Sequence, residues 1–359
     1  MVDQRALADV SFDPSDEYRP EPSAPENPTP WKDGSVRVGI HTSIAGNVSN
    51  ALDIAHSIGA NALQIFSCSP RMWARGPSRI SEPDAQRFRA RRKELGLGPL
   101  VIHCNYLINL GSPEPVLRVR SIQAFQQELV RAIALGADYL VLHPGNGRDS
   151  GREAGILAIA GGLRQALRGL TLGHLQILLE NTAGQGSSIG VRFEELQAII
   201  AECRGLPLGV CIDTAHLFAA GWDIRTADGL EKTLQDIDAT VGLASVAVIH
   251  VNDSKTAHGS RVDRHEHIGR GKIGADAFRT ILNHPLLKTR PFILETPIDK
   301  PGDDRKNVAM LWKLLGMERK VAASDSDESK SEKKPRTRKP TQSSKKSSAR
   351  KPARKRVSR

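Results

Sequence analysis

Eight short apolar runs in this chain stop at His41, Ser67, His103, His143, Glu180, Asp213, His250 and Glu295. Seven of those eight polar residues are His, Asp or Glu. Imidazole and carboxylate without thiolate suit zinc, with manganese as the harder alternative. A single His or Glu in such a place is usually a satisfied polar group or a helix cap. Seven brought to one place would be costly to bury without cations, because unpaired buried charge is expensive. Two nearby segments add the same residue types. Asp213-Thr-Ala-His216 can turn both side chains toward one mouth, and Asp263 and His265 share one side of an extended loop. Either pair alone is weak evidence. With the run ends they supply ligands for more than one ion, and ions roughly 3.5–4 Å apart suit phosphoryl chemistry, activating water and neutralising phosphate charge.

The elements that must position these residues follow from the runs themselves. They are 36–40, 62–66, 100–102, 139–142, 175–179, 208–212, 246–249 and 291–294, each followed by a helical period. Near-continuous apolar strands alternating with helices imply a parallel sheet covered by helices, and eight such units close a (β/α)8 barrel. Strand C-termini then converge on one face, where the polar residues would meet. An open doubly wound sheet is the alternative. A barrel takes roughly 250 residues, which leaves room for tails in a chain of 359.

The composition places those tails. Residues 1–34 hold eight acids against three bases and many prolines, without apolar period, and predict a disordered arm. The barrel is expected over 35–317. Residues 318–359 become Ser, Lys, Arg and Pro, too polar to offset their ordering entropy, and predict a second disordered segment. From Lys330 to Arg359, 14 basic residues face one acid, so the formal charge of +11 is concentrated at this end. Such a tail is either a solubilising extension or a non-specific DNA tether whose affinity falls steeply with salt. The latter reading is preferred. Cys68, Cys104, Cys203 and Cys211 show no CxxC pairing and are expected as reduced thiols. The opening residues lack an apolar signal segment, and no apolar run approaches the roughly 18 residues of a membrane span. A cytoplasmic, nucleoid-associated protein of bacterial type is expected, and a monomer, since a barrel closes its own core.

At this point whole segments resemble a known family. ENTAGQGSSIG (180–190), GVCIDTAHLFAAGWD (209–223) and HVNDSK (250–255) with GSRVDRHEHIGRGKIG (259–274) are similar to endonuclease IV, the class II apurinic/apyrimidinic endonucleases. So are HCNYLINLGSP (103–113), LHPGNG (142–147), SPRMW (69–73) and ILET (293–296), in order from about Val38 to Leu315. The resemblance implies a TIM barrel with three zinc ions, manganese being an alternative at one site. It implies cleavage of double-stranded DNA on the 5′ side of abasic sites, leaving a 3′-hydroxyl and a 5′-deoxyribose phosphate, and trimming of blocked 3′ ends. His103, His143 and Glu180 would hold one ion. Glu180 would bridge to a second on Asp213, His250 and Glu295, and His216, Asp263 and His265 would hold the third. Glu180 would also orient the nucleophile as the catalytic residue. Arg71 and Tyr106 match positions that enter the DNA at the lesion, as wedge residues do. Cys68-Ser69-Pro70 and Cys104 depart from the family pattern, which bears on the lesion pocket and not on the metal ligands.

Other residues have quieter readings. His41 is expected to support the ligands from behind. His267 competes with His265 by position, but the motif favours His265. His56, His174 and His284 are expected at the surface, and His258 has no assigned role. Gly269-Arg-Gly271-Lys-Ile-Gly274 satisfies the dinucleotide fingerprint G-x-G-x-x-G but does not directly follow a strand, so the confirming context is missing. It is expected to run near DNA, with Arg270 and Lys272 beside phosphates. Two competing functions remain. A sugar isomerase or epimerase on the same barrel would need one or two ions and leave His216, Asp263 and His265 without work. A non-catalytic DNA-binding protein would not need a complete ligand set.

Overall fold

The computed structural model describes residues 35–73 and 80–317. The expected disordered arm, basic tail and DNA tether lie outside the described residues. Eight parallel strands close a barrel: β1 Val38–Thr42, β2 Ala62–Phe66, β3 Leu100–His103, β4 Tyr139–Leu142, β5 Gln176–Glu180, β6 Leu208–Asp213, β7 Val246–His250 and β10 Phe292–Leu294. Between the last two, β8 Asp253–Ser254 and β9 His265–Glu266 form a small antiparallel ladder. Helices α1 Asn50–Ser57, α2 Glu82–Glu94, α3 Pro115–Leu135, α4 Arg152–Leu167, α5 Phe193–Glu202, α6 Thr214–Ala220, α7 Ala227–Thr240, α8 Ala275–Asn283 and α9 Asp303–Leu314 connect the strands. The open-sheet alternative is excluded by the pairing of β1 with β10, Val38 opposite Phe292. No described helix is long and apolar enough to cross a membrane.

Two apolar cores result from the period of two along each strand. One face of every strand packs outward against the helices, with Phe88, Phe125, Phe193, Phe218 and Phe278 all buried there. The other face fills the barrel with Ala62, Val101, Val141, Leu178, Cys211, Val248 and Ile293. That interior is tight: a Cβ on Gly39 of β1 would lie 2.5 Å from Ile293 Cδ1. Glycine leaves that space to the Ile293 side chain and lets β1 lie against the Ala62 backbone of β2, 2.9 Å from where the Cβ would be.

The same alternation builds the site. Two residues beyond Gly39, Ala62, Val101, Val141, Leu178, Cys211, Val248 and Ile293 stand His41, Gln64, His103, His143, Glu180, Asp213, His250 and Glu295. Each follows a barrel-interior position by one full strand period, so the apolar interior gives way to a ring of polar side chains at the C-terminal mouth. The strand ends predicted from sequence are corrected at one member. The inward residue of β2 is Gln64, not Ser67. Ser67 instead donates to Glu128 and accepts from Arg131 Nε at 2.7 Å, both on α3.

Candidate metal centre

Glu180 is fully buried at the centre of the ring and faces four imidazoles, His216 Nδ1 lying 3.4 Å from its Oε1. His103 Nε2 lies 3.3 Å and His143 Nε2 3.0 Å from its Oε2, and His250 Nδ1 lies 2.9 Å from Oε1. His250 Nδ1 is also 3.3 Å from Glu295 Oε2. Burial alone would raise the Glu180 pKa, but the facing His143, His250 and His103 hold it well below the usual carboxylate range.

Asp213 enters through local structure. Its carboxylate caps α6, accepting from His216 N at 2.7 Å, while Thr214 and Ala215 form the first turn. The three-residue step from cap to third helical position therefore returns His216 to the mouth, which explains the spacing of the motif. Asn252 fixes the other carboxylate oxygen, donating to Asp213 Oδ2 at 2.6 Å, and accepts from Glu295 N at 2.8 Å. Asp263 comes from the β8–β9 loop and His265 opens β9. Asp263 lies 3.1 Å from His216 Nε2 and 3.3 Å from His265 Nε2. Burial opposes its charge, yet His216 and His265 hold Asp263 far below the ordinary range.

All nine residues expected as ligands thus meet at one mouth. Three groups have potential donor atoms within 4.8 Å of one another: His103, His143 and Glu180; Glu180, Asp213, His250 and Glu295; and Asp213, His216 and His265. The first two match the sets implied by the resemblance. In the third, Asp213 closes the group, and Asp263 contacts both imidazoles from the rim.

The hydrogen-bond pattern tests whether cations fit. His103, His216 and His265 donate Nδ1–H to the carbonyls of Cys104, Asn181 and Glu295 at 2.8, 2.9 and 3.2 Å. A carbonyl only accepts, so each ring keeps its Nε2 lone pair for the mouth. His250 is turned the other way, donating Nε2–H to Gln64 Oε1 at 2.8 Å and presenting Nδ1. Each presented nitrogen faces carboxylate oxygen. A lone pair against an anion is repulsive unless a proton or a metal ion stands between them. Burial opposes protonation of His250 and His216, but Cys211, Glu295 and Glu180 raise the first, and Asp213, Asp263 and Glu180 raise the second. Despite the nearness of Asp263, the buried His216 Nε2 and His265 Nε2 make no hydrogen bond among the described residues. Oriented imidazoles with carboxylates between them and no thiolate are a donor set that fits zinc or manganese.

Gln64, Asn181 and Asn252 are the functional residues that sequence reasoning missed. Gln64 Nε2 donates to Glu295 Oε1 at 2.5 Å and to His41 Nδ1 at 3.0 Å, so one amide sets three neighbours. Its signal was present: a lone amide inside ALQIF, a strand buried on both faces, must have partners there. His41 lies behind Glu295, 3.7 Å away, outside the three groups. His267 faces Asn307 and Asp299, away from the mouth. His258 packs on Phe218, His284 is half-buried against Glu231, and His56 and His174 are exposed.

At the rim, Tyr106 is 62% exposed, its ring 5.2 Å from Phe66. Neighbouring protein partly desolvates its hydroxyl and, with the charges of Glu295, Glu180 and Asp263, pushes that group up to about 12, with Arg71 acting the other way. Arg71, Arg270 and Lys272 are exposed on rim loops. The glycine-rich loop does cradle an anion, but its own: Asp253 accepts backbone N–H bonds from Gly269, Gly271 and Ile273 at 3.0, 2.9 and 2.9 Å. No phosphate is needed to explain its glycines.

The fold and the site define a known class: residues 52–314 match the family described as xylose isomerase-like TIM barrel. The chain is 54% identical over 285 residues to the probable endonuclease 4 of Solibacter usitatus, covering 78% of this chain and 97% of that one. It is 43% identical to the probable endonuclease 4 of Chloroflexus aurantiacus, covering 78% and 98%. The crystal structure of endonuclease IV from Thermus thermophilus superposes with a TM-score of 0.69 at 40% identity, covering 78% of this chain and 99% of that one. The chain belongs to the endonuclease IV family.

Proposed function

We propose that this protein is a DNA-repair phosphodiesterase that incises duplex DNA on the 5′ side of abasic sites, leaving a 3′-hydroxyl and a 5′-deoxyribose phosphate, and trims blocked 3′ ends. The observation that carries the reading is the third group. A sugar isomerase on this barrel uses the polar ring alone, whereas here His216, Asp263 and His265 extend the donor set beyond it. Three zinc ions would be held by His103, His143 and Glu180, by Glu180, Asp213, His250 and Glu295, and by His216, Asp263 and His265, manganese being the alternative at one position. When bound, the ions supply positive charge at the scissile phosphate and lower the pKa of water there.

The chain's own residues supply position. Glu180, buried among four imidazoles, orients the attacking water. Asn252 and Gln64 keep a carboxylate and an imidazole from rotating, and Asn181 fixes the backbone of Asp213 by accepting from its N–H. Tyr106 and Arg71 enter the duplex at the lesion, and Arg270 and Lys272 meet phosphates. The catalytic unit spans 35–317 and acts as a monomer, with the basic tail as a non-specific tether. Metal analysis of the purified protein tests this reading: about three ions per chain are expected, and one ion would favour an isomerase.

A further inference from the structure

The two rim residues proposed to enter DNA sit on different loops, yet one buried side chain joins them. Asn105, 7% exposed, immediately precedes Tyr106. Its Nδ2 donates to the carbonyls of Ser69 at 2.9 Å and Met72 at 3.1 Å, bracketing Arg71 on the neighbouring loop. Its Oδ1 accepts from Leu107 N at 2.8 Å, an Asx turn that holds the backbone around Tyr106. The carboxamide therefore spends both donors on one loop and its acceptor on the other. Beneath it, Arg131 and Glu128 of α3, 3.2 Å apart and both buried, anchor Ser67 and Cys68 at the start of the Arg71 loop. Trp73, two residues beyond Arg71, is also tied to α3, with the Arg120 guanidinium 4.5 Å over its ring.

We infer that Asn105 is a positioning residue that clamps the Arg71 and Tyr106 loops into one preset wedge. The inference rests on the endonuclease reading for its purpose, not for its geometry. Two loops that moved independently would each have to be ordered when DNA binds. A clamp formed in the free protein removes that entropic cost beforehand.

Two variants separate the clamp from general damage. Asn105→Ala removes both halves, and faster amide exchange is expected in residues 68–73 and 106–108 together, with barrel strands unchanged. Asn105→Asp keeps the acceptor for Leu107 N but loses both donors, so only 68–73 should exchange faster. On a duplex with one abasic analogue, Asn105→Ala should raise KM about ten-fold, leaving kcat within about two-fold. Its metal content and its hydrolysis of a small phosphodiester should match the wild type. Unchanged exchange, or loosening of one loop in Asn105→Ala, overturns the clamp. Loosened loops with an unchanged KM overturn its role in positioning. Absence of incision by the wild type would count against the endonuclease reading and not against the clamp, which exchange reads in the free protein.

Discussion

Gly271 lies against the carboxylate of Asp253 with no room for a side chain between them. Its N–H donates to Asp253 Oδ2 at 2.9 Å, and an added Cβ would collide with Asp253 Oδ1 and the Ser254 carbonyl oxygen. The pair ties the loop bearing Arg270 and Lys272 to β8, whose partner β9 carries His265. Gly271→Ala should destabilise the protein by about 1–3 kcal/mol through this overpacking. A thermal melt checks it, with Gly161→Ala as the control, a glycine of α4 whose added Cβ would meet only the tip of Arg118. Equal melting of Gly271→Ala and wild type would count against a rigid cage.

Gln64 makes a separate prediction. Gln64→Leu leaves His250 Nε2 and one oxygen of Glu295 without their partner while keeping bulk in the strand. Loss of such an outer hydrogen bond typically weakens metal binding by about 10–100-fold. Dialysis against a graded chelator, with retained metal counted, should show the variant emptying first.

The barrel was legible because strand period and apolar runs set eight strands, and the run ends gave seven of the eight ring residues. Gln64 is hidden in the sequence because the apolar run extends past it to Phe66, which makes Ser67 the polar residue at its end. Direction relative to the barrel axis, not position after the last apolar residue, decides which side chain faces the mouth. Ser67 points out toward α3, and a one-residue shift changes the face. Asn252 and Asn181 were hidden for another reason. Their partners, the Asp213 carboxylate and the backbone N–H groups of Asp213 and Glu295, are distant in sequence, and nothing local in HVND or ENTA indicates what lies opposite. The G-x-G-x-x-G match has a local explanation, since Asp253 takes the backbone N–H groups of that loop.

Thiol chemistry gives a pH-dependent test. The Cys68 thiol is pushed up to about 11 by burial and by the Glu128 charge, Arg131 opposing. A raised thiol pKa leaves little thiolate at neutral pH, and reactivity follows the thiolate. Iodoacetamide should label native Cys68 slowly near neutral pH, faster as pH rises toward that value. Rapid labelling at neutral pH would contradict the Glu128 contact. Buried Cys104 and Cys211 are raised as well and should label only on unfolding.

The basic tail is tested by salt. Removing residues 322–359 should weaken DNA binding at low salt and flatten the slope of log affinity against log salt, by about 0.9 for each lost phosphate contact. An unchanged slope would refute the tether.

The central claim, that the polar mouth of this barrel hydrolyses the DNA backbone around Glu180, is tested most directly by incision of a duplex carrying one synthetic abasic analogue. Metal-loaded wild type and Glu180→Ala are compared, and product ends are identified on a sequencing gel. The account predicts a single cut immediately 5′ of the lesion ending in a 3′-hydroxyl, and no cut by the variant, whose circular dichroism stays that of a folded barrel. Cleavage by Glu180→Ala near the wild-type rate, or no cleavage by a wild type shown to hold its metals, would contradict it.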